Sequence, residues 1–166
     1  MRILLFLFLA LALTAQERMV ILLRHAEKLG RLSNAELTTA GRRRALALSL
    51  ELEGYKPALL FATERPRSQQ TLEPLARRLG VTLEIRPYGA EETLAEEILQ
   101  DRRAGTVVIC AHSDSIGPLA HFLGYPGWIP EVKDYDRLWI LRLGPKGFIG
   151  IEERHQKPLP PPEKIP

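Results

Sequence analysis

Residues 20–25 read Val20-Ile21-Leu22-Leu23-Arg24-His25: a short unbroken apolar run that ends on a cation and an imidazole. A strand buried on both faces needs such a run, because a half-exposed strand would alternate apolar with polar residues. The pattern recurs at Ala58-Leu59-Leu60-Phe61 and at Val107-Val108-Ile109-Cys110-Ala111. Thr82 to Arg86 and Arg137 to Leu141 read as further strands, and Phe148 to Ile151 as an edge strand.

Helical spacing separates these runs. Leu94, Ala95, Ile98 and Leu99 follow Glu91 and Glu92, acids suited to a helix first turn. Leu72, Leu75, Ala76 and Leu79 precede Gly80, with Pro74 expected to kink the helix, and Ile116, Leu119, Ala120 and Leu123 precede Gly124. Leu46, Leu48, Leu50 and Leu52 recur at strand spacing, yet Ala, Glu and Arg around them are helix formers. A helix there completes a βαβ unit. The expected fold is a three-layer α/β/α sandwich around a mostly parallel sheet.

Composition bounds the rest. The chain has 166 residues, enough for one domain, with 45% hydrophobic and 26% charged residues, which excludes a disordered chain or a collagen-like fibre. One cysteine excludes a disulfide framework and a thiolate metal cluster. The net charge is +3, and Arg outnumbers Lys 17 to 6, so anionic ligands suit the chain. Ile3 to Leu13 is an apolar run of 11 behind Arg2, too short for a membrane-spanning helix and shaped like a secretory signal. The expected organisation is a signal peptide over 1–15, one folded domain over 16–153 and a Pro-rich tail over 154–166, with export from the cytoplasm. Arg42 to Arg44 lack the aromatic platform that nucleic acid would need, and no stable membrane span is expected.

In open α/β sheets ligands sit beyond the carboxyl ends of the strands. There this sequence places Arg24 and His25 after the first strand, Thr63 to Ser68 with Arg65 and Arg67 after the second, and His112-Ser113-Asp114 after the fourth. Arg with His and few acidic groups suits a phosphoryl group: guanidinium forks bind its oxygens, and imidazole donates to oxygen or attacks phosphorus. Other chemistries lack their residues. Ile116 stands where a cysteine phosphatase with Cys110 would need arginine, no GxSxG elbow surrounds Ser113, and the histidines lack metal-ligand spacing. His155 reads as the start of the tail and His121 as packed on its helix.

Leu23-Arg24-His25-Ala26-Glu27 resembles the RHG signature of the histidine phosphatase superfamily, with Ala26 in place of glycine. Leu37-Thr38-Thr39-Ala40-Gly41-Arg42-Arg43-Arg44-Ala45 resembles its LTxxGxxxA segment. Thr63-Glu64-Arg65-Pro66-Arg67-Ser68-Gln69-Gln70-Thr71 resembles its SxxxRxxQT segment. Val107 to His112 resembles the strand that carries the second histidine, and Tyr135-Asp136-Arg137-Leu138-Trp139 is similar to a C-terminal strand of small, often exported members. The resemblance implies a phosphoglycerate-mutase-like fold and a phosphatase acting on phosphomonoesters or phosphohistidine, small or protein-borne, without metal or other cofactor. It implies His25 as the nucleophile that carries the phosphoryl group, with Arg24, Arg67 and His112 around its oxygens. It further implies Thr63 and Glu27 as secondary phosphate contacts, with a satisfied turn hydroxyl as the alternative for Thr63 and an ion pair with arginine for Glu27. Larger members draw their general acid from an insertion that this chain lacks, which leaves Glu91, Glu92 and Asp114 as candidates. A phosphoglycerate-mutase-type transferase and an inactive phosphate-binding module are the alternative readings.

Overall fold

The computed structural model describes residues 17–101 and 105–157. The expected signal segment over 1–15 and the tail from residue 158 onward lie outside them. The elements in chain order are β1 (Arg18–Arg24), α1 (Thr39–Glu53), β2 (Pro57–Thr63), α2 (Pro66–Leu79) and β3 (Leu83–Arg86). They continue with α3 (Glu91–Gln100), β4 (Thr106–Ala111), α4 (Ile116–Phe122), β5 (Arg137–Gly144) and β6 (Gly147–His155). The strands form one sheet in the order β3-β2-β4-β1-β5-β6. β3, β2, β4 and β1 pair in parallel, and β5 and β6 close that side as antiparallel strands. The sheet is therefore mixed, with its parallel half carrying the strand ends singled out above.

Two cores explain why β1 is apolar throughout. Val20 and Leu22 pack on the side of α3 and α4, against Leu94, Ile98 and Ile116. Ile21 and Leu23 pack on the other side, against Leu48 and Leu52 of α1 and Leu72 and Leu75 of α2. The three-layer arrangement follows. The four period-two leucines of α1 resolve into two i,i+4 pairs, Leu48 and Leu52 buried, Leu46 and Leu50 exposed. α2 runs as one helix through Pro74. β6 continues to His155, past the expected edge strand, because β5 offers it partners up to Arg137. Arg154 and His155 thus belong to the sheet and not to a tail, and His155 Nδ1 lies 3.1 Å from Asp136 Oδ2. His121 is exposed, against the expectation that it packs on its helix. Among the described residues no helix is long and apolar enough to cross a membrane.

The first turn of α1 is locked to the loop after β1. Thr38 caps the helix by accepting from Gly41 N at 3.0 Å, and its own N–H donates to Glu27 O at 2.8 Å. Gly41 is required by this approach: a Cβ there would fall on the Glu27 carbonyl. Ala26, Leu37 and Ala45 fill the small space between. Gly41→Ala is expected to lower the unfolding free energy by about 1–3 kcal/mol, the usual cost of overpacking. Urea denaturation measures it, and an unchanged midpoint would show that the loop and helix can separate freely.

Candidate functional site

The parallel pairing of β1 with β4 sets Leu23 beside Cys110 and Arg24 beside Ala111. His25 and His112, one residue further on each strand, emerge together with ring centroids 5.2 Å apart. His25 N–H continues the ladder to Ala111 O at 3.1 Å. Both side chains are buried, at 2% and 4% exposure, yet both line a cavity of about 250 Å³ at this edge of the sheet. Arg24, Lys28, Ser33, Arg65, Arg67, Tyr88, Ser113 and Asp114 complete its wall.

Each histidine is held in one tautomer. His25 Nδ1 lies 2.7 Å from the Ala26 carbonyl, which accepts only, so Nδ1 carries the proton and Nε2 keeps its lone pair. Arg67 Nη2 donates to His112 Nδ1 at 3.3 Å, which leaves the His112 proton on Nε2, where Thr63 Oγ1 accepts it at 2.9 Å. Thr63 passes its own proton to Ser68 Oγ at 3.0 Å. Burial pushes the His25 pKa down to about 3, helped by Arg67, His112 and Arg24 and opposed by the Ala26 carbonyl. Burial, then Arg67, pushes His112 down to about 4, opposed mainly by Asp114. Both rings are neutral near pH 7.

The arginines are held by backbone oxygens as well. Arg24 donates to Val132 O and Lys133 O at 3.1 and 2.5 Å and stacks on Tyr135, with Cζ 4.2 Å from the ring centre. Arg67 Nη1 donates to Ser33 O at 2.6 Å. The Nε atoms of both arginines are buried and have no hydrogen-bond partner among the described residues. Donors in that state favour an anionic acceptor nearby, since an unpaired buried donor is costly.

The other expected site residues separate. Glu27 does not line the cavity; it forms a two-pronged pair with Arg44, Oε1 to Nη2 at 2.6 Å, which holds the carboxyl below its ordinary range against the opposing effect of burial. Thr63 is not among the residues lining the cavity; its hydroxyl lies 2.9 Å from His112 Nε2 and 3.0 Å from Ser68 Oγ. Glu91 and Glu92 stand in the first turn of α3, outside the cavity wall, and Glu91 Oε1 accepts from Gly89 N at 3.3 Å. Of the three candidate acids, only Asp114 lines the cavity, and its Oδ2 accepts from the Tyr88 hydroxyl at 2.6 Å. The cap of α4 belongs to Ser115 and has no side-chain bond, so Asp114 is not a cap.

Sequence reading missed Tyr88, Tyr135, Lys28 and Ser33. Tyr88 was within reach of the same strand-end rule, since it follows β3 by two residues. Tyr135 was not, because it reaches this edge only through the antiparallel direction of β5. Gln70 and Thr71 do unexpected work: Gln70 Oε1 accepts from Leu37 N at 2.8 Å and Thr71 Oγ1 from Ala26 N at 3.0 Å. The second motif thereby clamps the first. A larger cavity of about 530 Å³, lined by Trp128, Trp139 and Arg137 among others, contains no histidine, so volume alone would misplace the site.

Residues 20–92 match the family described as the histidine phosphatase superfamily (branch 1), a span that includes His25 and Arg67 and stops before His112. Solved structures share the fold at low sequence identity. A protein histidine phosphatase SixA complexed with tungstate is 21% identical, with a TM-score of 0.67 over 80% of this chain and 95% of its own. A mycobacterial hydrolase is 16% identical, with a TM-score of 0.65 over 87% of this chain and 100% of its own. A mycobacterial glucosyl-3-phosphoglycerate phosphatase is 16% identical, with a TM-score of 0.62 over 84% of this chain and 98% of its own.

The depressed histidine pKa values carry a stability signature. Below about pH 6.5 the unfolded chain protonates both imidazoles while the folded chain resists until about pH 4 and then pH 3. Stability therefore falls as the pH drops from about 6.5 toward 4, and the loss is absent above 6.5. Chemical denaturation across this window should show a shallower acid loss in His25→Asn and His112→Asn than in the parent. Parallel curves would mean that neither ring is buried neutral.

Proposed function

We propose that this chain, whose fold and first half are those of the histidine phosphatase superfamily, is a phosphatase that hydrolyses phosphomonoesters or phosphohistidine through a phosphohistidine formed on His25. One observation carries the reading. His25 is a buried, neutral imidazole whose Nδ1 proton is tied to Ala26, so a free Nε2 lone pair sits beside two arginines and a second histidine.

The steps follow from those positions. In the first, His25 Nε2 bonds to phosphorus as the bond to the leaving group breaks, and the electron pair departs with that group. Arg24 and Arg67 spread the charge of the equatorial oxygens. A dianion here offsets the burial and the Arg67 charge that keep His112 neutral, so Nδ1 takes up a proton from solvent and donates it in a hydrogen bond to a phosphoryl oxygen while Thr63 holds Nε2. In the second step water attacks phosphorus, the N–P bond breaks and its electrons return to Nε2. Asp114, which lines the cavity, draws the proton from that water. No general acid is assigned to the first step, which favours good leaving groups such as imidazole or an acidic phenol. Arginines neutralise the phosphoryl charge, so the reading requires no metal. The tungstate complex of the structurally similar SixA supports an oxyanion site on this scaffold.

Purified protein is expected to hydrolyse p-nitrophenyl phosphate in the presence of a chelator. His25→Ala should lower kcat by more than about a thousandfold, and Arg67→Ala should lower kcat/KM by about a hundredfold or more. Rapid quenching should trap an acid-labile phosphoryl group on His25. Hydrolysis surviving in His25→Ala would overturn the nucleophile, and tungstate binding without turnover would favour a phosphate-binding module.

A further inference from the structure

The chain between β1 and α1 contributes Lys28 and Ser33 to the cavity wall. The two acids of this segment are drawn away from it by α1. Glu27 pairs with Arg44 at 2.6 Å, and Glu36 pairs with Arg42 at 2.9 Å. Lys28 keeps no such partner: its Nζ donates to Gly30 O at 2.6 Å and meets no carboxylate among the described residues. Burial, then the charges of Arg67, Arg24 and Arg31, holds the ammonium below its ordinary range, so the charges acting on Lys28 are all positive. Arg65 stands differently on the same wall, with its Nε 3.3 Å from Glu64 Oε1. Asp114, the acid of the wall, is bonded to the Tyr88 hydroxyl, and its charge acts on His112.

We propose that Lys28 forms a second anion subsite, and that the substrate is a phosphate whose leaving group carries a further anionic group, carboxylate or phosphate, a few atoms from the phosphorus; the proposal rests on the reading of the cavity as a phosphoryl site. On that reading Arg24 and Arg67 meet the charge of one phosphoryl dianion and Glu64 meets Arg65, which leaves Lys28 as the wall cation without a counter-charge. A neutral leaving group would leave the ammonium in the field of the neighbouring arginines. A second anion would compensate that field at short range, in a cavity partly shielded from water. The rest of the wall disfavours an alkyl leaving group. Among the described residues that line it none is an aliphatic hydrophobe, so a hydrocarbon chain finds little to bury against. A cavity of about 250 Å³ suits a compact substrate in which the two anionic groups lie close together.

The test is calorimetric binding of 3-phosphonopropionate and 4-phosphonobutyrate, each beside its uncharged amide, and of ethane-1,2-diphosphonate beside ethylphosphonate. Phosphonates have no ester bond for the enzyme to cleave, so the subsite is read separately from turnover. In the parent the doubly anionic ligand is expected to bind at least about fivefold more tightly than its singly anionic partner, the upper range for a part-exposed ion pair. Lys28→Met should reduce that ratio to within about twofold, and Lys28→Arg should keep it. Comparing ratios between variants cancels differences in ligand ionisation. A Lys28-dependent gain with the carboxylates or with the diphosphonate supports the subsite and names its second anion. No gain with either in the parent would overturn it. So would a gain that survives in Lys28→Met, because Lys28 would then act on the phosphoryl group alone. A Lys28-dependent gain with no hydrolysis of p-nitrophenyl phosphate would keep the subsite and refute the phosphatase reading.

Discussion

The parallel pairing of β1 with β4 is the constraint on which the site depends. Its register, Leu23 beside Cys110 and Arg24 beside Ala111, puts the first residue beyond each strand at the same height on the sheet edge. His25 and His112 are 87 positions apart in sequence and become neighbours by this pairing alone. A slip by one residue would turn one imidazole to the opposite face. The apolar residues of both strands, packed on two faces, oppose such a slip, so the same side chains that build the core also set the spacing of the site.

A sheet edge alone would leave the loops beyond it free, and here polar cross-links between motifs hold them. Thr71 Oγ1 accepts from Ala26 N and donates to Arg67 O, joining the loop after β1 to the start of α2. Gln70 joins the same helix to Leu37, and Gly41 lets α1 press against Glu27. These residues never face the cavity. They keep Arg67 and His25 at a fixed separation, which is the larger part of what a phosphoryl-transfer site must supply.

The strands, and hence the fold, were legible because a sheet covered on both sides writes itself as apolar runs. His25, Arg24, Arg67 and His112 were legible as cavity residues because each follows such a run closely, so strand ends point to them. Glu27 illustrates what that rule cannot resolve. It lies two positions beyond His25, yet its direction is decided by Arg44 on α1, and a single sequence does not say which of several arginines is nearest. Thr63 shows the same limit in another form: the hydroxyl is at the right edge, but whether it meets a phosphate or a ring nitrogen depends on sub-ångström placement. Tyr135 was hidden for a topological reason, since only an antiparallel β5 brings the residue before a strand to the edge reached after the others.

Neutral histidines beside two guanidiniums look like a costly arrangement, and that cost is informative. Burial and positive neighbours suppress protons on both rings, so the site carries its positive charge on arginines, which do not titrate in any ordinary range. The nucleophile proposed at His25 would benefit, because its lone pair stays free well below neutral pH. His112 is held short of its second proton by burial and then by Arg67, which a bound dianion would compensate on the proposed reading. On the proposed reading most of the electrostatic work of the cavity is done before substrate enters, and binding changes which acceptor each donor faces and adds one proton to His112. Tyr88 adds a further contact on the cavity wall, its hydroxyl donating to Asp114 Oδ2 at 2.6 Å. On the proposed reading a phosphate competes for the two arginines against the carbonyls of Val132, Lys133 and Ser33 and the His112 ring, and a dianion wins that competition.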